Sequence, residues 1–260
     1  MRKNQLTLYN MAPDVVAFST TRHGGYSTGG YGEFNINRYY GDDPTAIQRN
    51  REALARQLGI DEERIVMPHQ VHEAKVLNID DDFLTCPAER KMQALEGIDA
   101  VMTHLTGVCV GVSTADCIPV LLYDQLHHAV CAVHAGWRGT VQRIVGNAVK
   151  AMTEAFGSQP IDLLAQIGPG ISLDSFEVGD EVYNAFAAAG FDMMAISERR
   201  GKWHINLPEC NRRQLIEAGL DDKAIAVSPV CTYKNHDTYF SARHLGINSG
   251  RIFTAIMLTV

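Results

Sequence analysis

The segment 114–139, TADCIPVLLYDQLHHAVCAVHAGWRG, constrains the fold more than any other stretch of this chain. Residues 118–123 and 129–133 are apolar runs of strand length, and the short polar stretch between them leaves no room for a crossover helix. They read as a hairpin, so the sheet that holds them is at least partly antiparallel. A turn centred on Gln125 and Leu126 sets Cys117 directly opposite His134. Opposed residues have Cβ atoms about 4.5–5.5 Å apart, close enough for a thiolate and an imidazole to share a metal or a proton. The inference depends on register, because a slip of one residue sends one side chain to the other face. Asp-Gln-Leu-His is not a strong two-residue turn sequence.

Further apolar runs at 15–18, 100–102, 108–112, 163–167, 224–227 and 252–258 read as strands. Asp43 before Pro44 predicts a helix start, with Ile47, Leu54 and Leu58 on one face and Gly59 as its stop; Arg49 and Arg51 belong to this helix. Further helices are predicted over 140–156, ended by Gly157, over 180–189, and over 207–218 with Asn206 and Glu209 as a capping box. The glycines of RHGGYSTGGYGE (22–33) make a surface loop; it has neither the lysine of a Walker loop nor the spacing of a dinucleotide loop. The basic cluster Arg199, Arg200 and Lys202 reads as a solvated turn. Strands and helices are mixed rather than alternating, and no linker or repeat divides the 260 residues. The expectation is one α+β domain over 1–260, with mixed, largely antiparallel sheets flanked by helices.

Apolar residues at 46% and charged residues at 20% are ordinary globular usage, which excludes a disordered, collagen-like or coiled-coil chain. The net charge of −7 repels nucleic acid and anionic membranes, so neither is expected as a partner. The most apolar run, 107–123, contains Asp116 and Pro119 and is too short for a bilayer span. The opening MRKNQLTLYN lacks the apolar core of a secretory leader, and the six cysteines contain no C-x-x-C pair. A cytoplasmic location with reduced thiols is expected.

A third ligand candidate lies in PHQVH (68–72). If this stretch is a strand, His69 and His72 point to opposite faces and only one of them reaches a common site. Two histidines and a cysteine with an open fourth position match a catalytic zinc pattern, and the same set could hold copper. From the residues alone, three separately packed side chains remain an alternative, since ten histidines offer many chance sets.

PHQVH (68–72), STADCIPVLLYD (113–124), AVHAGWRGT (132–140), IGPGIS (167–172), FEVGDEV (176–182) and YFSAR with GR (239–251) together resemble the laccase-domain family. Its members are also called multicopper polyphenol oxidase-like proteins, peptidoglycan editing factors or zinc-dependent purine nucleoside phosphorylases. The resemblance runs from TTRHGG at 20–25 almost to the C-terminus. It implies a mixed α/β fold with zinc on His72, Cys117 and His134, leaving His69 a supporting role. It also marks Arg51, in the Asn50-Arg51 pair, as an anion-binding arginine suited to phosphate, with Arg22 and Arg243 as further substrate candidates. Asp116 beside the thiolate could orient a ligand or act as a base, and could equally cap a turn. Asp174-Ser175-Phe176 departs from the cysteine and tyrosine common in relatives, which leaves substrate contacts from that stretch open.

The implied reaction is phosphorolysis of inosine, guanosine or adenosine, with adenosine deamination as a related activity. The small-molecule partners would be a purine nucleoside and phosphate. Copper oxidation of polyphenols is a second reading, although the H-x-H pairs that gather a copper cluster are absent from the sequence. A third is a Cys-His hydrolase in which His134 activates Cys117 to edit a cell-wall precursor. A metal on Cys117 would block that role.

Overall fold

The structure, a computed structural model, describes residues 5–259; the basic start MRKN of the stretch read against a secretory leader lies outside them. In chain order the strands are β1 (Leu6–Tyr9), β2 (Val15–Thr20), β3 (Ile65–Val66), β4 (Val76–Asn78), β5 (Ala100–Thr103), β6 (Cys109–Thr114), β7 (Ile118–Asp124), β8 (Ala129–Ala135), β9 (Leu163–Ile167), β10 (Glu177–Val178), β11 (Ser197–Arg200), β12 (Lys202–Ile205), β13 (Ile225–Val227) and β14 (Ile252–Leu258). They form a five-stranded sheet in the order β1-β2-β14-β6-β3, a six-stranded sheet in the order β13-β9-β7-β8-β5-β4, and a small sheet β10-β12-β11. Most pairings are antiparallel; β3 with β6, β4 with β5 and β9 with β13 are parallel. The fold is α+β, as the mixed order of runs implies.

Period-2 alternation decides the layering. Val15, Ala17, Val110, Val112 and Ile256 of the five-stranded sheet meet Leu121, Tyr123, Val130 and Ala132 of the six-stranded sheet, so the two sheets stack face to face. The alternate residues of the five-stranded sheet, Phe18, Phe253 and Met257, pack under Leu54 and Ala55 of α1 (Pro44–Leu58). On the opposite side, Val120, Leu122, Cys131 and Val133 are covered by α5 (Ile144–Phe156) and α8 (Leu207–Glu217). Strands β6, β7, β8 and β14 are buried along their whole length, which is why they read as continuous apolar runs.

The hairpin forms, but its register is two residues from the one expected. Asp124 pairs with Ala129, so the turn centres on Leu126 and His127, and Pro119 rather than Cys117 faces His134. The buried Asp124 carboxylate causes this: it accepts from the N–H groups of Leu126 and His127 and bonds the His127 ring at 2.8 Å, tying a four-residue turn. A slip of two preserves faces, so Cys117 and His134 become diagonal neighbours on one side.

The helix expected over 140–156 is broken. A short α4 (Trp137–Val141) precedes α5, and Arg143 between them takes a left-handed φ of 63°. Arg143 is held there by Glu217, by the Ala189 carbonyl and by stacking on Phe191. Asn206 caps α8 through the Glu209 N–H, but Glu209 does not reciprocate as a capping box would; it pairs with Arg212 and Arg213 instead. The basic cluster flanks an exposed hairpin turn, as expected: Arg199 and Arg200 end β11 and Lys202 opens β12, with Gly201 between them at φ 86°. Arg200 pairs with Asp174 and Glu198, and Lys202 with Glu177.

Candidate metal centre

Strand pairing brings the ligands together at one end of the layer between the two large sheets. His134 follows Val130 and Ala132 on β8, so alternation aims it into that layer. Pairing of Ala100 with Val133 places Asp99, just before β5, beside His134, and the His134 N–H donates to the Asp99 carbonyl at 2.8 Å. The two residues also bond through their side chains, His134 Nδ1 to Asp99 Oδ1, at 2.7 Å. An ionised carboxylate only accepts, so Nδ1 carries the proton and Nε2 is left to bind a ligand.

The same carboxylate shapes the stretch that carries His72. Asp99 accepts from the N–H groups of Val71, His72 and Glu73 at 3.3, 3.0 and 2.9 Å. Residues 70–74 are therefore not a strand, and the alternation argument for His69 and His72 does not apply. Wrapped around one buried oxygen pair, the backbone puts His72 at φ 65° and brings its ring to 4.8 Å from that of His134, edge to face. His69 is engaged elsewhere, bonding Glu96 at 2.8 Å and stacking on Tyr39 at 4.3 Å.

Cys117 enters from the turn ahead of β7. Its thiol and one nitrogen from each of His72 and His134 lie within 4.8 Å of one another. Zinc with one thiolate and two imidazoles in tetrahedral array needs ligand atoms about 3.4–3.6 Å apart, so the set fits after a small contraction. Gly136 makes this convergence possible. A Cβ there would stand 2.9 Å from the His72 ring and 3.1 Å from the Cys117 sulfur.

Electrostatics suit the same donors. Burial would raise the Cys117 thiol, but the charge of His134 and hydrogen bonds from His134 and His72 outweigh it and hold it at about 6. Burial disfavours a charged His134, yet the Cys117 charge and the Asp99 bond push it up to about 9. Asp99 is driven up by burial and down, on balance, by His134 and the backbone donors of Glu73 and Val71. Each group favours the charged form of the other, thiolate on Cys117 and imidazolium on His134.

The remaining sequence candidates do other work. Asp116, at φ 89°, accepts from Thr232 Oγ1 and from the Arg243 N–H, each at 2.7 Å, and so ties two distant loops to the Cys117 turn. The guanidinium of Arg243 reaches the Glu177 carbonyl. Arg22 bonds the carbonyls of Gly32 and His236 and thereby closes the glycine loop. Asn50 threads that loop as well, bonding Tyr26, Ser27, Glu33 and Asn35. Arg51 is buried, paired through Nε with Glu62 and through Nη2 with the Ile65 carbonyl at 2.9 Å. It lines a cavity of about 800 Å³ with Arg38, Tyr39, Glu62, Lys91 and Glu96, and none of the three candidate ligands lines that cavity.

Asp99 escaped the sequence reading, and Arg251 entered it only within the GR motif, without a role. Asp99 sits at the head of an apolar run, a cue that acquires meaning only once β5 is paired with β8. Arg251, the last residue before β14, is 7% exposed, and its side chain packs at the same end of the molecule.

A family model described as "Multi-copper polyphenol oxidoreductase laccase" matches residues 16–259. A protein named purine nucleoside phosphorylase from Bacteroides thetaiotaomicron is 46% identical over 248 residues, covering 94% of this chain and 92% of that protein. Adenosine deaminase RL5, from an unknown prokaryotic organism, is 44% identical and covered to 93% on both sides. The solved structure of Bacillus licheniformis hypothetical protein YfiH superposes with a TM-score of 0.92 at 29% identity, covering 99% of this chain and 97% of that one. YlmD from Geobacillus stearothermophilus gives 0.89 at 31% identity, covering 96% and 94%. The chain belongs to the laccase-like family that this model describes.

Proposed function

We propose that this chain is a zinc-dependent purine nucleoside phosphorylase that also deaminates adenosine. What carries the reading is a half-buried thiol and two imidazoles converging within 4.8 Å in a chain 46% identical to a protein named for that activity. The 44% identity to a protein named adenosine deaminase supports the second reaction. In phosphorolysis a phosphate oxygen bonds to C1′ of the ribose, the bond from C1′ to the purine nitrogen breaks, and its electron pair leaves on the base, which takes up a proton.

A zinc ion held by His72, Cys117 and His134 would supply Lewis acidity and activate water for deamination. The chain's own residues prepare the donors. Asp99 fixes the His134 tautomer and the left-handed turn at His72, and the two histidines keep Cys117 ionised. Asp116 anchors the Cys117 turn and is the candidate base beside it. Arg51, Arg22 and Arg243 are candidates for contacts to phosphate or nucleoside. A cytoplasmic location and the acidic net charge accord with small-molecule substrates.

The test is metal analysis of protein produced without added copper, followed by chromatography of inosine and adenosine reactions with and without phosphate. Free base that appears only with phosphate, together with one zinc lost in Cys117→Ala, is the expected result. Copper-dependent oxidation of a phenolic dye with no base released would overturn it. One observation favours a second reading: Cys117, His134 and Asp99 align in hydrogen-bond order, as a thiol hydrolase requires. Protein that hydrolyses its substrate without metal, and loses that activity to thiol alkylation, would establish that alternative.

A further inference from the structure

We propose that Arg251 is the residue that receives the phosphate at this centre, a role that rests on the phosphorolytic reading and extends it. Arg251 enters β14 directly before Ile252, which pairs with Thr114, so it lies alongside the Ala115-Asp116-Cys117 turn. It is almost fully buried, and its cationic head has no carboxylate partner among the described residues. Nη1 donates to the Ser249 carbonyl at 2.6 Å, the Gly250 carbonyl at 3.1 Å and Ser249 Oγ at 3.3 Å; Nη2 donates to the Ile247 carbonyl at 3.0 Å. All of these acceptors are neutral.

A guanidinium taken out of water without an opposite charge is costly, and a cage of carbonyls offsets that cost only in part. Tyr40 lies against it, with Arg251 Cζ 4.0 Å from the ring centroid, which fixes the plane of the fork. The anionic groups that act on it are Cys117 and Asp116, which sets its head against the Cys117 turn. The Asp116 carboxylate is already occupied by Thr232 and the Arg243 N–H. An oriented, buried cation beside a metal-ligand turn describes a receptor for a small oxyanion.

Of the other arginines, Arg51 and Arg38 share the Glu62 carboxylate, Arg22 bonds the Gly32 and His236 carbonyls and Arg243 the Glu177 carbonyl; Arg251 differs from them in being buried, without a carboxylate partner among the described residues, alongside the Cys117 turn. Phosphate should therefore respond to Arg251 more than to any of them.

Calorimetric titration of inorganic phosphate into zinc-loaded and metal-free protein tests this without turnover, and steady-state kinetics adds separate KM values for phosphate and nucleoside. Arg251→Gln should weaken phosphate binding and raise its KM about ten- to a hundredfold, with the nucleoside KM moved less than threefold. Arg251→Lys, which keeps the charge and loses the fork, should fall between. If the glutamine variant does not fold, the lysine variant and Tyr40→Leu carry the test through the same split. Phosphate binding within twofold of wild type in variants that fold overturns the assignment, even where wild type proves to be a phosphorylase. Phosphate that binds through Arg251 in a protein that releases no base would instead leave the assignment standing and overturn the reaction.

Discussion

Asp99→Asn is the most informative single change, because one buried carboxylate holds two of the three candidate ligands. Oδ1 accepts from His134 Nδ1 and the His72 N–H, while Oδ2 accepts from the N–H groups of Glu73 and Val71. An amide offers one acceptor oxygen, so whichever way it turns, two donors face an NH2 group. Hydrogen bonds to a charged group contribute about 1.5–3 kcal/mol each, so two lost bonds cost about 3–6 kcal/mol. Relief from burying a charge offsets part of this, which leaves about 3 kcal/mol as the working expectation. That is a large share of the roughly 5–15 kcal/mol that holds a domain folded.

Denaturant unfolding of metal-free wild type and variant reads this loss directly. A competition titration against a chromophoric chelator should show zinc affinity reduced about 10- to 100-fold, as removing the partner of a ligating histidine typically does. The pH dependence has a definite sign. Asp99 is held below its ordinary carboxylate value of 3.8, so its stabilisation is complete above that value and disappears as pH falls through the lower folded one. The gap between wild type and variant should be constant near neutrality and close in acid. A stability loss under about 1 kcal/mol with zinc affinity within twofold would refute the role given to Asp99.

In metal-free protein Cys117 should be alkylated ahead of Cys109, Cys131 and Cys210, whose burial pushes their thiols up, with a rate that falls as pH drops below about 6. Mass spectrometry of iodoacetamide-treated protein checks this; uniform labelling, or a midpoint near an ordinary thiol value, counts against the ion pair. Gly136→Ala should reduce zinc affinity about tenfold or more while the protein stays folded, because the added methyl meets movable ring and sulfur atoms rather than backbone. Retention of zinc at wild-type affinity in that variant would mean the ligands approach differently. Leu121→Ala, in the layer between the sheets at 0% exposure, should cost about 2–5 kcal/mol in the same denaturant assay, and a loss below about 1 kcal/mol would argue against sheet-on-sheet packing there.

Local chemistry made much of this molecule legible. Asp43 with Pro44 and Gly59 bound α1 as their side chains and backbone preferences dictate, and the buried strands announce themselves because both of their faces are covered. The short strands escaped notice. β10, β11 and β12 are half exposed and polar, so neither a continuous apolar run nor a clean alternation marks them. The motifs around His72, Cys117 and His134 carried a family resemblance, and so named the ligands without explaining how they meet.

That explanation lies in pairings between residues far apart in the chain. The hairpin register turned on Asp124 capturing its own turn, a side-chain-to-backbone bond that strand propensity does not record. The break at Arg143 depended on Glu217 and Ala189, which helix periodicity over 140–156 cannot see. Asp99 and Arg251 come beside a candidate ligand or its turn only when β5 meets β8 and β14 meets β6. Charge compensation and hydrogen-bond satisfaction are properties of neighbours in space. A buried carboxylate or guanidinium therefore takes its meaning from the tertiary structure, however plainly its letter stands in the sequence.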